Sequence, residues 1–182
     1  MRFADGVFPA FAFRKGNSRF LAGKVHAIYY ACEWDCEKKI GVVSGSPQSL
    51  IQENSLNGWH TDPVATIPLW ESSDGVLKRI GYGPSLVSDF VFRDFELHLE
   101  FKLPSQCNSG VILRGRYEVQ LVDSEFRLAN GEPESPLGQC GAIYGLIAPS
   151  KNVYKGAERW NTLDIRLVGQ TVTVRMNQTT II

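Results

Sequence analysis

The sequence contains few cysteines, and their spacing gives no strong disulfide or metal signal. Four cysteines are too few for a disulfide scaffold, and Cys32 and Cys36 lack the nearby histidines that a zinc site would use. Cys107 and Cys140 both lie beside glycine-rich stretches, so a disulfide between these two stays open. The cysteine content therefore excludes a small disulfide-held domain and favours structural thiols.

The sequence also lacks an excess of charge and any long apolar run. Lys plus Arg number 19 and Asp plus Glu number 19, so no field of one sign would draw the chain to nucleic acid or to an anionic membrane. No apolar run approaches the roughly 18 to 20 residues that span a bilayer, and Asp5, Pro9 and Arg14 interrupt the opening segment. We therefore expect no nucleic-acid partner and no membrane partner, and no convincing signal peptide indicates the compartment.

The residues that are present predict a folded, all-β chain. Hydrophobic residues make up 43% of the sequence, with 10 Phe, 6 Tyr and 4 Trp, which argues against disorder. From about residue 50 onward, short alternating segments are punctuated by Gly, Pro, Asn and Asp at roughly 8 to 12-residue spacing, as in antiparallel sandwiches and barrels. Residues 1–48 show no sustained period and are left unassigned, whereas residues 49–182 are expected to form the β domain.

The clearest strand covers residues 95–103, where apolar and polar side chains alternate without interruption. A hairpin follows, and a three-residue loop at 115–117 would pair Leu113 with Val119 in the core. That register brings Arg114 opposite Glu118 on the polar face, next to Gln120. The predicted core residues are Phe95, Leu97, Leu99, Phe101, Leu113, Val119 and Leu121.

Two further strands are predicted near the end of the sequence, at 163–167 and 172–176, with a turn at Gly169-Gln170. The sequence ends at Ile182. A last strand without a partner would leave an exposed edge, which favours association. We therefore expect an incomplete domain with some tendency to associate with itself.

Several sequence boxes resemble the 3-keto-disaccharide hydrolase family. They are SLNGW at 55–59, LW at 69–70 with DGVL at 74–77, DFELHLEFKLP at 94–104, NSGVILRG at 108–115, YEVQLVDS at 117–124, GQCGAIYGLIAPSKN at 138–152 and ERWNTLDI at 158–165. The resemblance implies an all-β, concanavalin A-like jelly-roll sandwich of antiparallel sheets. Members continue for several strands beyond the match, and they commonly have Asn-Gly where this chain has Asn177-Gln178.

The resemblance also implies an activity. Members act on glycosides whose sugar carbon 3 is a ketone, which acidifies the hydrogen on C2. A base removes that proton, the C1 substituent leaves by elimination, and water then adds to the unsaturated sugar. We expect a hydrolase of this kind that binds an oxidised glucoside or disaccharide and uses no cofactor. The alternatives are a non-catalytic carbohydrate-binding module and a structural domain with a wet polar face.

Glu118 is the first candidate for the base, with Arg114 as donor to the developing enolate and Gln120 as a substrate contact. A cross-strand Arg–Glu pair on a solvated face would explain the same pattern. Glu100 and His98 lie on the polar face of the preceding strand, where they could act as acid, base or metal ligands, or be half-exposed strand residues. Two carboxylates and one histidine make an incomplete metal site, so we expect no metal.

The remaining candidates belong to the sugar-binding part of the site. Asn108 opens Asn-Ser-Gly, which predicts a turn, or else lies at the rim of a sugar site. Tyr144 and Trp160 could stack on a pyranose, and Asn161 could donate a hydrogen bond, while core packing is the alternative for both aromatic residues. Asp123 is expected to cap the strand exit or bind a loop.

Overall fold

The computed structural model describes residues 11–13, 22–29, 47–64, 70–80, 84–89, 92, 94–124 and 135–182. Within these ranges the secondary structure is β, apart from a 3-10 turn at Pro136–Gly138. None of the described residues forms a helix long and apolar enough to cross a bilayer. The strands are β1 (Phe11–Phe13), β2 (Ala22–Tyr29), β3 (Pro47–Ser49), β4 (Trp59–Asp62), β5 (Trp70–Ser73), β6 (Val76–Arg79), β7 (Ser85–Ser88), β8 (Phe95–Lys102), β9 (Asn108–Leu113), β10 (Tyr117–Val122), β11 (Asn161–Val168), β12 (Thr171–Met176) and β13 (Thr179–Thr180).

These strands form two antiparallel sheets that enclose one core. The five-stranded sheet has the order β10-β9-β1-β7-β4. The eight-stranded sheet has the order β13-β12-β11-β8-β2-β6-β5, with β3 paired to β2. Since the buried side chains of both sheets belong to a single cluster, the sheets pack face to face. The predicted all-β sandwich is confirmed.

Alternation of apolar and polar residues decides which face of each strand lies inward. In β8, Phe95, Leu97, Leu99 and Phe101 are buried, and the polar residues between them are half-buried on the other face. β11 repeats the pattern, since every second residue from Asn161 to Leu167 is buried. All of the predicted core residues are buried, so the predicted core is confirmed.

Short turns join the neighbouring strands, and two of them bear on the sequence predictions. The turn at Gly169-Gln170 joins β11 to β12 as predicted, with Val168 paired to Thr171. The turn from β12 to β13 consists of Asn177 (φ 47°) and Gln178 (φ 67°). Positive φ at both loop residues is typical of a type I′ hairpin turn, and glycine tolerates it better than glutamine does.

The loop of the β9–β10 hairpin lies one residue earlier in the chain than predicted, so each residue of β9 pairs with a residue two positions earlier on β10. Leu113 pairs with Tyr117, Ile112 with Glu118 and Val111 with Val119. The loop is therefore 114–116, where Arg114 and Gly115 have positive φ and the N–H of Arg116 donates to the carbonyl of Leu113 at 3.1 Å. Gly115 thus takes the second loop position, which glycine favours in such turns. The predicted pairing of Arg114 with Glu118 is wrong.

The first 48 residues, left unassigned from the sequence, contribute strands to both sheets. β1 lies between β9 and β7 in the five-stranded sheet, and its Ala12 pairs with Ile112 and with Val87. β2 lies between β8 and β6 in the eight-stranded sheet. β1 is therefore the middle strand of the five-stranded sheet, and β9 alone separates it from β10, which carries Glu118.

Candidate functional site

The outer face of the five-stranded sheet brings Glu118 and Gln120 together. Val119 and Leu121 of β10 are buried in the core, so Glu118 and Gln120 lie on the opposite face of the strand. The register places Ile112 across from Glu118 and Gly110 across from Gln120. Along β9, β10 and residues 141–147, Glu118 is the single carboxylate on this outer face.

Glu118 lies directly over Gly110. A Cβ atom added to Gly110 would come within 2.1 Å of Glu118 Oε1 and 2.6 Å of its Cγ. The Oε1 atom is itself buried. A glycine inside a strand often indicates close approach of another group, and here that group is the carboxylate.

The prediction of a turn at residues 108–110 is wrong, because these are the first three residues of strand β9. Gly110 was missed as a site residue. The available signal was its position directly before an apolar strand segment, where the absence of a side chain leaves space on one face of the sheet.

Gln120 supplies a buried polar group next to Glu118. Its side chain is only 1% exposed, and its Nε2 donates to Oδ1 of Asn108 at 3.4 Å. Its Oε1 is buried with no hydrogen-bond partner among the described residues. Since a buried acceptor without a donor is unfavourable by about 1 to 3 kcal/mol, this oxygen suits a hydroxyl group of a ligand. Asn108, predicted at the edge of a sugar site, lies beside it.

Tyr144 lies across from Glu118 on the other side of β10. Its N–H donates to the carbonyl of Glu118 at 2.9 Å, and the N–H of Gln120 donates to the carbonyl of Ala142 at 2.9 Å. Val119 bridges Ile143 in this pairing, and both of these residues are buried in the core. Tyr144 consequently shares the outer face with Glu118, and its side chain is 48% exposed. The structure thus brings Glu118, Gln120, Asn108 and Tyr144 together.

Arg114 is directed elsewhere, towards the turn between β11 and β12. Its Nη1 donates to the carbonyl of Gly169 at 2.8 Å, and its Nη2 lies 3.4 Å from Oδ1 of Asp94. The same Asp94 oxygen accepts from the N–H of Gly169 at 2.7 Å. The guanidinium is almost fully buried. This arrangement holds the tip of the β9–β10 hairpin against the other sheet, so we assign Arg114 a structural role.

Glu100 and His98 lie on the outer face of the eight-stranded sheet, so the core separates them from Glu118. His98 Nδ1 lies 2.5 Å from Oδ1 of Asp164 across the β8–β11 pair. His98 and Asp164 line a shallow depression of about 270 Å³, together with Arg166 and Arg175. The expectation that Glu118, Arg114, Gln120 and Glu100 share one pocket is wrong. Alternation gives the face of a strand, but it does not show to which sheet the strand belongs.

Trp160 and Asn161 also lie away from Glu118, at the start of β11. Trp160 is 40% exposed, and Lys102 Nζ lies 5.8 Å from its ring centroid. Asn161 is fully buried: its Oδ1 accepts from Lys155 N–H at 3.0 Å and from Asn177 Nδ2 at 2.8 Å, and its Nδ2 donates to Arg159. Asn161 therefore holds the adjoining loops in place and is not exposed to a ligand.

Asp123 and the two described cysteines stabilise the exit of β10. Oδ2 of Asp123 accepts from the N–H of Gln106 at 3.0 Å, so Asp123 binds the loop before β9, as expected.

Cys107 and Cys140 are both buried free thiols. Burial raises the pKa of Cys140 to about 12, so its thiol stays protonated at neutral pH and cannot serve as a nucleophile. Among the described residues, no three His, Cys, Asp or Glu side chains cluster closely enough to hold a metal.

Comparison with protein families and solved structures gives consistent results. A family model described as a 3-keto-alpha-glucoside-1,2-lyase-like domain matches residues 46–182. A search of curated proteins finds no match. Matches among crystal structures include three from Parabacteroides distasonis ATCC 8503, each described as a "putative glycosyl hydrolase".

The three structures differ in how closely they match. The first has 26% identity and a TM-score of 0.58, with 69% of this chain and 71% of that chain covered. The second has 19% identity and a TM-score of 0.65, with 74% and 70% covered, and at this identity it shows the fold alone. The third has 25% identity and a TM-score of 0.56, with 72% and 62% covered, so the match spans less than two thirds of that chain.

Proposed function

The chain belongs to the 3-keto-alpha-glucoside-1,2-lyase-like family, and we propose that it cleaves glycosides whose sugar carries a ketone at carbon 3, with Glu118 as the base. The single observation that carries this proposal is the placement of the Glu118 carboxylate. It lies over Gly110, with Oε1 buried, beside the buried amide of Gln120. One carboxylate beside an unsatisfied amide oxygen suits removal of a proton from a bound polyhydroxyl ligand.

The proposed chemistry needs one base rather than a carboxylate pair. Glu118 takes the proton from C2, and the electron pair of the C–H bond forms an enediolate with its charge on the C3 oxygen. The C3 ketone then re-forms, a C1=C2 bond forms, and the C1–O bond breaks with its electron pair on the departing oxygen. The proton held by Glu118 passes to that oxygen, which regenerates the carboxylate. Addition of water across C1=C2 releases the 3-keto sugar, so the net reaction is hydrolysis.

The surroundings of Glu118 favour this route over a glycosidase mechanism with two carboxylates. Such a mechanism needs a second carboxyl group roughly 5 to 9.5 Å from the first on the same side of the sugar site. The described part of the outer face around β9, β10 and residues 141–147 offers none besides Glu118. The amide oxygen of Gln120 can accept a hydrogen bond from a sugar hydroxyl, and Tyr144 can contact the ring from across the strand.

The test follows both turnover and the C2 hydrogen. The purified chain is incubated in D₂O with a 3-keto disaccharide and with its unoxidised parent, and released sugar is analysed by NMR. We expect release from the oxidised substrate alone, with deuterium incorporated at C2. Glu118→Gln preserves the size of the side chain but removes the base, so turnover should fall by about 10² to 10⁴-fold while sugar binding largely survives.

Glu100→Gln is the matched control, because it makes the same chemical change on the outer face of the other sheet. We expect it to leave turnover within about twofold. If Glu100→Gln abolished turnover and Glu118→Gln did not, the proposed site would be on the wrong sheet. Absence of any release by the parent chain, together with sugar binding in calorimetry, would instead support the carbohydrate-binding alternative.

A further inference from the structure

The segment 135–150 forms a wall beside Glu118, and its position is fixed by backbone hydrogen bonds. Tyr144 N–H donates to Glu118 O, Gln120 N–H to Ala142 O at 2.9 Å, and Gly141 N–H to Gln120 O at 2.8 Å. These bonds join the segment to the free edge of β10 through a β-bridge between Val119 and Ile143. Directly opposite residues of antiparallel strands have Cβ atoms about 4.5 to 5.5 Å apart, so the wall begins next to the Cβ of Glu118.

The tip of this wall exposes large apolar side chains. Ile143 and Ile147 exchange backbone hydrogen bonds of 3.0 Å, which leaves residues 144–146 as a tight loop, and the N–H of Gly145 donates to Leu137 O at 3.0 Å. Leu137 is 39% exposed, Tyr144 48% and Leu146 47%. Because the backbone holds all three in one place, we call Leu137, Tyr144 and Leu146 the apolar rim. Apolar side chains grouped at the surface often indicate a binding surface.

The wall offers little for recognition of a charged or strongly hydrated group. Residues 135–150 contain no Asp, Glu, Lys, Arg or His. Besides Tyr144, their polar side chains are Ser135, Gln139 and Ser150. The Oγ of Ser135 already accepts from the N–H of Leu137 at 3.3 Å. A second sugar placed here would lose hydrogen bonds to water with few side-chain groups to replace them.

We propose that the apolar rim receives the leaving group of the glycoside, and that it selects an uncharged aliphatic or aromatic alcohol over a second sugar. This inference rests on the proposed function, because it takes Glu118 as the base for the C2 proton. The leaving group is attached to C1, one bond from C2, so it lies within a few ångströms of that carboxylate. Tyr144 is the member of the rim that lies across from Glu118; Leu146 follows it in the same tight loop, and Leu137 is held there by the bond from the N–H of Gly145 to its carbonyl.

The experiment compares two 3-keto glucosides with the same sugar and different leaving groups, cyclohexanol and glucose. The variant is compared with the parent on each substrate separately, so the difference in intrinsic reactivity between the two leaving groups cancels. The variant Leu146→Gln keeps a side chain of similar length but makes it polar. A lost apolar contact in a pocket is worth about tenfold or more. We expect kcat/KM for the cyclohexyl substrate to fall about tenfold, mainly through KM, and that for the disaccharide to change less than twofold.

Ile80→Gln is the matched control, because Ile80 is 42% exposed and follows β6 of the other sheet. It should change neither substrate's kcat/KM, and thermal unfolding should show that both variants are folded. An equal loss on both substrates, or no loss on the cyclohexyl substrate, would overturn the assignment of the rim.

Failure of the proposed function is distinguishable from failure of this inference. If the parent chain cleaved neither 3-keto glucoside, the activity would be refuted, and the rim would be tested by calorimetry with unoxidised cyclohexyl and methyl glucosides. Tighter binding of the cyclohexyl compound that is lost in Leu146→Gln would support an apolar subsite. Equal affinity for the two glucosides would overturn it.

Discussion

Replacement of Gly110 by alanine should separate the position of the Glu118 carboxylate from the stability of the fold. The new Cβ would lie 2.1 Å from Oε1, which must move by about 1.3 Å to reach an ordinary contact of 3.4 Å. A misplacement of about 1 Å can lower catalysis roughly 10²-fold. We therefore expect kcat/KM for a 3-keto disaccharide to fall by at least about 10²-fold, equivalent to about 2.7 kcal/mol of activation free energy.

Stability should change little in the same variant. Gly110 lies within strand β9, and its φ is not positive, so the backbone accepts alanine. A displaced rotamer of Glu118 destabilises the fold by about 0.5 to 1.5 kcal/mol. Alanine also lowers the entropy of the unfolded chain, which stabilises the fold by about 0.4 to 1 kcal/mol. The midpoint of thermal unfolding should accordingly remain within about 3 °C of the parent for a domain of this size.

The assay is a double-mutant cycle between Gly110→Ala and Glu118→Gln, read as kcat/KM and as deuterium uptake at C2. If Gly110 matters only because it gives space to the carboxylate, alanine should cause no further loss once Glu118 is glutamine. Full additivity of the two losses would refute this reasoning. So would a Gly110→Ala protein with activity within threefold of the parent, since a moved carboxylate would then still be competent.

Two further predictions concern stability. Gln178→Gly should raise the free energy of unfolding by about 1 kcal/mol, because glycine adopts the positive φ of 67° without strain; calorimetry should show a Tm higher by about 2 to 4 °C, and an unchanged or lower Tm would contradict it. The pKa of Cys140 is raised from 9.0 to about 12 by burial, so the unfolded chain loses this proton first as pH rises. Stability contributed by the neutral thiol is thus complete below pH 9 and falls by about 1 kcal/mol per pH unit above it. Cys140→Ala should remove this part of the alkaline loss in urea unfolding between pH 8 and 10.5, and parallel pH profiles of variant and parent would disprove it.

The sequence predicted the strands well where alternation is strict, and the hairpin less well. In β8 every second residue is apolar, which defines the buried face without knowledge of the partners. For β9 and β10, the predicted and observed registers put the same residues on the same faces, so the hydrophobic pattern cannot choose between them. The choice depends on the turn, where Gly115 occupies the second loop position. The register of that hairpin was therefore predictable from turn chemistry and not from hydrophobicity.

The candidate site was predicted only in part, because the sequence pattern does not show to which sheet a strand belongs. Glu118 and Glu100 are both polar residues within alternating strands, and nothing in their own strands distinguishes them. β8 and β9 follow one another in the chain but belong to different sheets, so the two carboxylates point to opposite sides of the molecule. Sheet membership depends on strand pairs far apart in sequence, such as β8 with β11. Tyr144 could be placed near Glu118 by family resemblance, whereas its backbone bond to Glu118 depends on the tertiary fold.

The contacts of Arg114 with Gly169 and Asp94 bear on the order in which parts of the chain fold. Its bond to Gly169 joins residues 55 positions apart, and Asp94 binds both partners. Contacts between distant positions require closure of long loops, which slows their formation relative to local hairpins. The bond between Arg114, at the tip of the hairpin that carries Glu118, and Gly169 can form only when the β11–β12 turn lies beside that tip. We therefore expect the surface that carries Glu118 and the opposite sheet to reach their final geometry together.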